Sequence, residues 1–360
     1  MIAAHTPPAP RFASALRPLL RTIAIADRDA LRRAANTARA LEHAGAGAAP
    51  AETVTRLISA LSDAVTRRAI ELAVAASGMQ DRRWCWIALG SEGRQEQTLV
   101  SDQDNGIIFE DGPEPDAVRT RLLPLALRVN HLLADCGFPL CEGNIMASNP
   151  ACCLSLHEWR ERFAGWIEEG EPQALLNATI FFDLRPLAGD LQLAHALTSW
   201  TARLAADNRR FLFQMADNAL RRKPPLGLLH AFTTEKAGPH AGAIDLKHHA
   251  ATLFVDAGRV FGLGSGAEVS NTAARLRMAA KAGLLDAREV EEWIRCFHFI
   301  GTVRLRMQQE SFLRGVTMHN YVSPAQMDAA GRRALLRALR QAGALQHQLS
   351  VGFLSGGHRL

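Results

Sequence analysis

Two aspartates separated by one residue, Asp102 and Asp104, are the residues of this sequence best suited to carry chemistry. They come just before a short apolar run, residues 107–109, that is typical of a buried strand. Residues i and i+2 of an extended backbone project to the same side, so the two carboxylates converge while Gln103 points away. A divalent cation relieves the repulsion between them, and Mg²⁺ prefers few protein oxygens with phosphate oxygens for the rest. The spacing therefore predicts a metal site beside a nucleoside triphosphate.

A second feature, Gly90 followed by Ser91, ends the upstream apolar run WCWIALG, twelve residues before Asp102. Glycine lets a phosphate approach the backbone closely, and the serine hydroxyl and exposed amides can donate hydrogen bonds to it. Arg94, one helical turn further on, adds a charge-assisted contact to a phosphate; a local ion pair with Glu96 is the alternative role for this arginine. Each signal alone also fits a solvated turn, and their order along the chain is what favours a nucleotidyl-transfer site.

The elements that must position these residues form a small α/β unit. Apolar runs predict strands at residues 84–90 and 105–110, and the fourteen residues between them have room for one short helix and a loop. An amphipathic helix is predicted at residues 116–136, followed by a third strand around 144–147. The run at 180–182 fits either a strand or a buried helical turn.

Helical patterns flank this unit on both sides. Apolar residues recur at helical spacing over residues 12–79, with a helix-to-helix turn at 43–52, and the pattern is helical again after residue 190. We therefore predict a mostly helical α+β fold. Its regions are an N-terminal helical region (1–80), an α/β catalytic domain (81–190) and a C-terminal helical domain (191–360).

Composition narrows the class of protein. Prolines and Arg11 interrupt the first twenty residues, so we expect no signal peptide, and no run approaches the ~18 apolar residues that cross a membrane. Six dispersed cysteines without Cys-x-x-Cys spacing are typical of reduced, mostly buried thiols in a cytoplasmic protein. A net charge of +5 admits an anionic partner, but few aromatics and no concentrated Lys/Arg tract argue against nucleic acid.

The pattern hydrophobic-Gly-Ser followed by Asp-x-Asp resembles the DNA polymerase beta nucleotidyltransferase superfamily. More closely, LGSEGRQEQTLVSDQDNGIIF resembles a nucleotidyltransferase family often found behind cyclic-nucleotide-binding and CBS domains in bacteria. That family is related to the uridylyltransferase of bacterial nitrogen signalling. The blocks GNIMASNP, HEWRERFAGWI, IFFDLRPLAGD, IDLKHHA, NTAARLR and RLRMQQE look similar to other parts of the same family, so the resemblance covers roughly residues 50–355.

The resemblance implies a polymerase-beta-like core in which Gly90 and Ser91 hold the nucleotide phosphates and Asp102 and Asp104 bind Mg²⁺ or Mn²⁺. Such enzymes commonly use a third carboxylate that completes the second metal site or activates the incoming hydroxyl. Asp183 is our candidate for both the catalytic and the metal-binding role, because a charge directly after an apolar run suggests a strand end. Glu142 is its competitor, since it lies nearer the predicted third strand.

The expected activity is transfer of a nucleoside monophosphate from an NTP to a hydroxyl, with release of pyrophosphate. The likeness to the signalling uridylyltransferase implies a role in signalling, with either a protein tyrosine or another hydroxyl as the acceptor. Residues 1–80 are too short and too helical for the sensor domains that such proteins commonly carry, which implies a stand-alone module or a separate sensor partner. The alternative is a catalytically silent nucleotide-binding regulatory module.

Overall fold

The computed structural model describes residues 10–46, 48–78, 83–170, 175, 178–227 and 232–355. The chain forms two compact units. Unit 1 comprises Met1–Ala49, Thr53–Gly165 and Ile180–Thr201, and unit 2 comprises Pro50–Glu52, Trp166–Thr179 and Ala202–Leu360. Helices dominate, and a small mixed sheet and a two-stranded ribbon accompany them, so the predicted α+β class is confirmed. The division at residues 80 and 190 stays a prediction, and residues 1–9, on which the expected lack of a signal peptide largely depends, lie outside the described part.

Three helices open the chain, as the apolar spacing predicted: α1 (Pro10–Ile25), α2 (Arg28–Ala46) and α3 (Ala51–Ser77). Their apolar faces pack with one face of the sheet and with α5 (Pro115–Asp135) in one core. Within the described residues, no helix has the length and apolarity required to traverse a bilayer.

The sheet of unit 1 has the strand order β3-β2-β1-β4. Strands β1 (Trp84–Ala88) and β2 (Asn105–Phe109) are antiparallel, and every residue of both is buried. Strand β3 (Cys153–Ser155) runs parallel to β2, and β4 (Arg185–Gly189) runs antiparallel to β1. The short helix α4 (Gly90–Gly93) follows β1 at once, as the polar segment between the strands predicted.

One prediction about the rest of this unit needs correction, and the alternative left open at residues 180–182 is decided in favour of a helical turn. The third strand is not at 144–147 but at Cys153–Ser155, because residues 144–147 form a loop whose Ile145 carbonyl accepts from the Asn105 N–H at 3.0 Å. The apolar run before Asp183 is not a strand. It is a 3₁₀ turn (Phe181–Asp183) whose phenylalanines pack on Trp159 and Phe163 of α6 (Leu156–Ala164), and β4 begins only afterwards.

Unit 2 is built from helices, and the sequence shows where several of them begin. Asn208, Asn271, Asp286 and Asp328 each cap a helix by accepting from a backbone N–H of its first turn. The helices are Arg209–Leu220, Thr252–Gly264, Thr272–Lys281, Ala287–Leu313 and Ala329–Phe353, and a two-stranded ribbon pairs Ile244–Asp245 with Tyr321–Val322.

Candidate active site

Asp102 and Asp104 lie immediately before β2, where the spacing argument requires them. The register of β1 and β2 pairs Ala88 with Asn105, and the Leu89 N–H donates to the Asp104 carbonyl at 2.8 Å. This pairing holds Asp104 beside the end of β1. Asp104 is buried and Asp102 is exposed, and their carboxylate oxygens lie within 4.8 Å of each other. The predicted convergence of the two carboxylates is therefore present.

Gln103, between the two aspartates, and Asn105, after them, anchor this segment through hydrogen bonds to α5 and the residues that follow it. The amide of Gln103 donates to the carbonyls of Asn130 and Phe138 at 3.0 and 2.9 Å. Asn130 of α5 donates in turn to the side-chain oxygens of Gln103 at 2.9 Å and of Asn105 at 3.0 Å. All three amide side chains are buried, so this network is costly to break. Gln103 points away from the carboxylates, as predicted.

Gly90 lies against the Asp104 carboxylate, in a conformation that favours glycine. Its φ is +54°, and a Cβ added there would lie 2.7 Å from Asp104 Oδ2. The Gly90 N–H donates to the Ile180 carbonyl at 3.3 Å. Ser91 follows on α4 and is half-buried. Gly93 ends this helix with the Asp183 carbonyl oxygen so close that a Cβ would come within 1.8 Å of it.

Cys141 is the third potential ligand at this position. Its sulfur and one oxygen from each of Asp102 and Asp104 all lie within 4.8 Å of one another. Burial raises the pKa of this thiol to about 11, with the neighbouring Asp104 carboxylate acting in the same direction. Two carboxylates and a sulfur at this separation fit a single divalent cation. Sequence reasoning missed Cys141, because nothing in its sequence neighbourhood marks it as a ligand.

A buried charge cluster lies behind the site and was also missed. Arg185 of β4 donates to both carboxylate oxygens of Asp63 on α3, at 2.9 and 2.7 Å, and to the Glu92 carbonyl at 3.2 Å. The pKa of the Glu92 carboxyl is raised to about 8, chiefly by burial, with the Asp63 and Asp104 charges acting in the same direction and Arg185 lowering it. The sequence does contain a pattern that indicates a polar face on α3. The buried polar residues of α3 recur at helical spacing, as Ser59, Ser62, Asp63 and Thr66.

Arg94 and Asp183, the predicted phosphate contact and the candidate third carboxylate, lie together. Arg94 donates to Glu96 at 2.8 Å and also forms an ion pair with Asp183, whose side chain is fully buried. Among the described residues, the ligand group around Asp102 and Asp104 does not include Asp183. Glu142 is exposed on the turn after Cys141 and is outside that group as well.

Comparison with protein families places this geometry in context. A family model described as "Putative nucleotidyltransferase DUF294" matches residues 32–173, which include Gly90, Ser91, Asp102 and Asp104. A second, described as "Putative nucleotidyltransferase substrate binding domain", matches residues 209–353. The chain belongs to this nucleotidyltransferase family. No curated protein matches the chain closely enough to be counted as a relative. The predicted family is thus confirmed, and its link to sensor domains and to the signalling uridylyltransferase stays a prediction.

Residues 209–353, which the second family model matches, contain a partly open cavity of about 590 Å³. Lys223 and Lys236 line it together with Thr233, Thr234 and Glu235, and His249 contributes from the π-helical turn Lys247–Ala251. Among the lining residues that the structure describes, two lysines against one glutamate give a positive balance, which suits an anionic group.

Proposed function

We propose that this protein is a metal-dependent nucleotidyltransferase that moves a nucleoside monophosphate from an NTP to a hydroxyl acceptor. The acceptor oxygen forms a bond to the α-phosphorus, and the bond from that phosphorus to the bridging oxygen breaks. Pyrophosphate leaves, and the hydroxyl proton passes to a carboxylate or to water. The observation that carries the proposal is the convergence of Asp102 and Asp104 beside Gly90, in a chain of a nucleotidyltransferase family.

Each residue of the site has a defined task in this proposal. Asp102 and Asp104 hold Mg²⁺ or Mn²⁺, which when bound neutralises charge on the phosphate and on the leaving oxygen. Ser91 donates its hydroxyl to a phosphate oxygen, since it lies on the helix that begins at Gly90. Because Gly90 has no side chain, it leaves room for the Asp104 carboxylate.

We further propose Asp183 as the third carboxylate, released from Arg94 when nucleotide binds. Triphosphate oxygens compete with a carboxylate for a guanidinium, because both accept its charge-assisted hydrogen bonds. Nucleotide binding would therefore transfer Arg94 from Asp183, which lies beside α4, to phosphate and end that ion pair. Glu142 is the competing candidate, since it is next to Cys141 in the chain. Asp183→Asn should lower kcat for pyrophosphate release about 100-fold, whereas Glu142→Gln should not. The reverse ranking would assign the role to Glu142.

The decisive experiment measures pyrophosphate release from each of the four NTPs with Mg²⁺ or Mn²⁺. Asp102→Asn/Asp104→Asn removes both charges at nearly constant shape, and Glu110→Gln removes an exposed carboxylate at the opposite end of β2. We expect the double variant to abolish release and Glu110→Gln to retain it. NTP binding without release, across protein and small-molecule hydroxyls, would instead favour a silent regulatory module. Salt-sensitive retention on nucleic acid would favour a nucleic-acid acceptor.

The acceptor belongs in the substrate-binding domain, where we propose that the lysine-lined cavity takes an anionic group. The likeness to signalling uridylyltransferases extends the proposal to a protein acceptor in signalling, with a separate partner as sensor. Calorimetric titration with inorganic phosphate provides a probe of the cavity. Lys223→Ala/Lys236→Ala should weaken phosphate binding to the cavity at least about tenfold, because both positive charges are removed. Unchanged phosphate binding would contradict this assignment.

A further inference from the structure

Cys141 is held against the metal-binding carboxylates by the architecture of its loop. The Gln103 N–H donates to the Pro139 carbonyl and the Asn105 N–H donates to the Ile145 carbonyl, both at 3.0 Å. These two hydrogen bonds fasten the loop to the Asp-x-Asp segment on either side of Cys141. Within the loop, the Asn144 N–H donates to the Cys141 carbonyl at 3.0 Å.

The side chain of Asn105 adds a further attachment, which is internal to the fold. Its oxygen accepts from the Ala147 N–H at 2.8 Å and from Asn130 at 3.0 Å. Asn105 and Ala147 are fully buried, so the end of the loop is tied to the start of β2 away from solvent. The position of the thiol therefore follows from the same network that positions Asp102 and Asp104.

We propose that the sulfur of Cys141 is a protein ligand of the divalent cation held by Asp102 and Asp104. The proposal rests on the proposed function for the presence of that cation, and on the three ligand atoms within 4.8 Å of one another for the role of the sulfur. When the sulfur binds the cation, the thiol proton is released to solvent. Thiolate sulfur selects softer cations, whereas Mg²⁺ prefers oxygen alone. The mixed donor set therefore shifts the preference of the site from Mg²⁺ toward thiophilic divalent cations.

The test uses the full chain and Cd²⁺, whose bond to cysteine sulfur gives an ultraviolet charge-transfer absorption. We expect the native protein to show this band on binding one equivalent, and excess Mn²⁺ to remove it by competition. Cys141→Ser should lose the band and raise the affinity for Mg²⁺ relative to Cd²⁺ at least about tenfold. Cys296→Ala is the matched control, because it removes a thiol from the other unit and should retain the band.

Two further measurements separate the possible outcomes. Asp102→Asn/Asp104→Asn should weaken Cd²⁺ binding at least about tenfold, because the sulfur acts with the carboxylates. Cys141→Ala provides a second variant, and near-ultraviolet circular dichroism checks that each variant is folded. A band that persists in both Cys141 variants, or an unchanged metal preference, would overturn the proposal. An intact, Cys141-dependent band without pyrophosphate release would support the ligand and refute the transferase.

Discussion

Gly90→Ala is the substitution that most directly tests the geometry of the site. The added methyl group would lie 2.7 Å from Asp104 Oδ2 and 3.1 Å from Ile180 Cγ1, on a backbone with φ of +54°. An ordinary contact begins at 3.4 Å, so the carboxylate oxygen has to retreat by roughly 0.7 Å. Asp104 is anchored through its carbonyl, which accepts from the Leu89 N–H, so the displacement falls on the side chain.

The substitution should have two effects, one on folding stability and one on the reaction rate. The left-handed conformation costs an alanine about 1–2 kcal/mol of folding stability. Misplacement of a catalytic group by about 1 Å costs on the order of 100-fold in rate, so we expect pyrophosphate release to fall about 10- to 100-fold. Affinity for Mn²⁺ should fall in parallel, because the displaced oxygen is a proposed ligand.

Gly78→Ala supplies the matched control. Gly78 has φ of +66°, and no atom of the residues that the structure describes lies within 4 Å of its added Cβ, so this variant carries the backbone cost alone. Urea denaturation should show a larger loss of stability in Gly90→Ala than in Gly78→Ala, because only Gly90→Ala adds a steric clash to the backbone cost. Mn²⁺ titration and pyrophosphate release should change only in Gly90→Ala. If Gly90→Ala stayed within about twofold of Gly78→Ala in both assays, the steric reasoning would be wrong.

Three further predictions concern the residues behind the site. Arg185→Met leaves the Asp63 carboxylate buried without its bidentate partner and should cost about 3–5 kcal/mol in urea denaturation. Asn130→Ala leaves the buried amide of Gln103 without one of its partners and should cost about 1–3 kcal/mol, together with weaker Mn²⁺ binding. Glu92 has its pKa raised to about 8 by burial, so the folded protein holds a proton that the unfolded chain releases above about 4.5. The contribution of this proton to the free energy of unfolding is complete below pH 4.5 and is lost as the pH rises through 8. Glu92→Gln should therefore gain stability relative to the native protein between pH 5 and pH 8.5.

Each of these predictions has its own control. Asp63→Leu/Arg185→Met removes both charges and should recover much of the loss, and a double variant no better than Arg185→Met would contradict the ion-pair explanation. Asn36→Ala, on the exposed side of α2, is a matched amide truncation that should leave Mn²⁺ binding unchanged. For Glu92→Gln, a stability difference from the native protein that is constant across pH would refute the raised pKa.

The local part of the site was predictable because it depends on short-range rules. The two apolar runs form antiparallel neighbouring strands, so the residues that follow β1 lie beside the residues that precede β2. Gly90 and Asp104 are therefore close together. Alternation along an extended chain then placed Gln103 on the opposite side. The helices at both ends of the chain followed from periodicity in the same way.

The third strand, the turn before Asp183 and the position of Cys141 could not be predicted, because they depend on loops and on contacts between residues distant in sequence. Residues 144–147 have strand composition, yet the backbone of that loop bonds to Asn105 and its side chain, and β3 forms later, at Cys153. The phenylalanines before Asp183 make a helical turn because they have aromatic partners on α6, which no local pattern reveals. Cys141 is a lone cysteine in the sequence and becomes a potential ligand only through the fold.

The electrostatics explain why the motif alone would not make the site. Asp63, Glu92 and Asp104 are all buried in one region, and three ionised carboxylates there would repel one another. Arg185 compensates the charge of Asp63, and burial keeps Glu92 protonated up to about pH 8. Negative charge is thereby concentrated at the Asp102–Asp104 pair, where a cation can use it. A chain that kept Gly90, Ser91, Asp102 and Asp104 but lost Arg185 would leave the buried Asp63 charge opposite the more distant Arg67, at 3.7 Å, behind the proposed metal site. The proposed site therefore depends on a residue of β4 as well as on the motif.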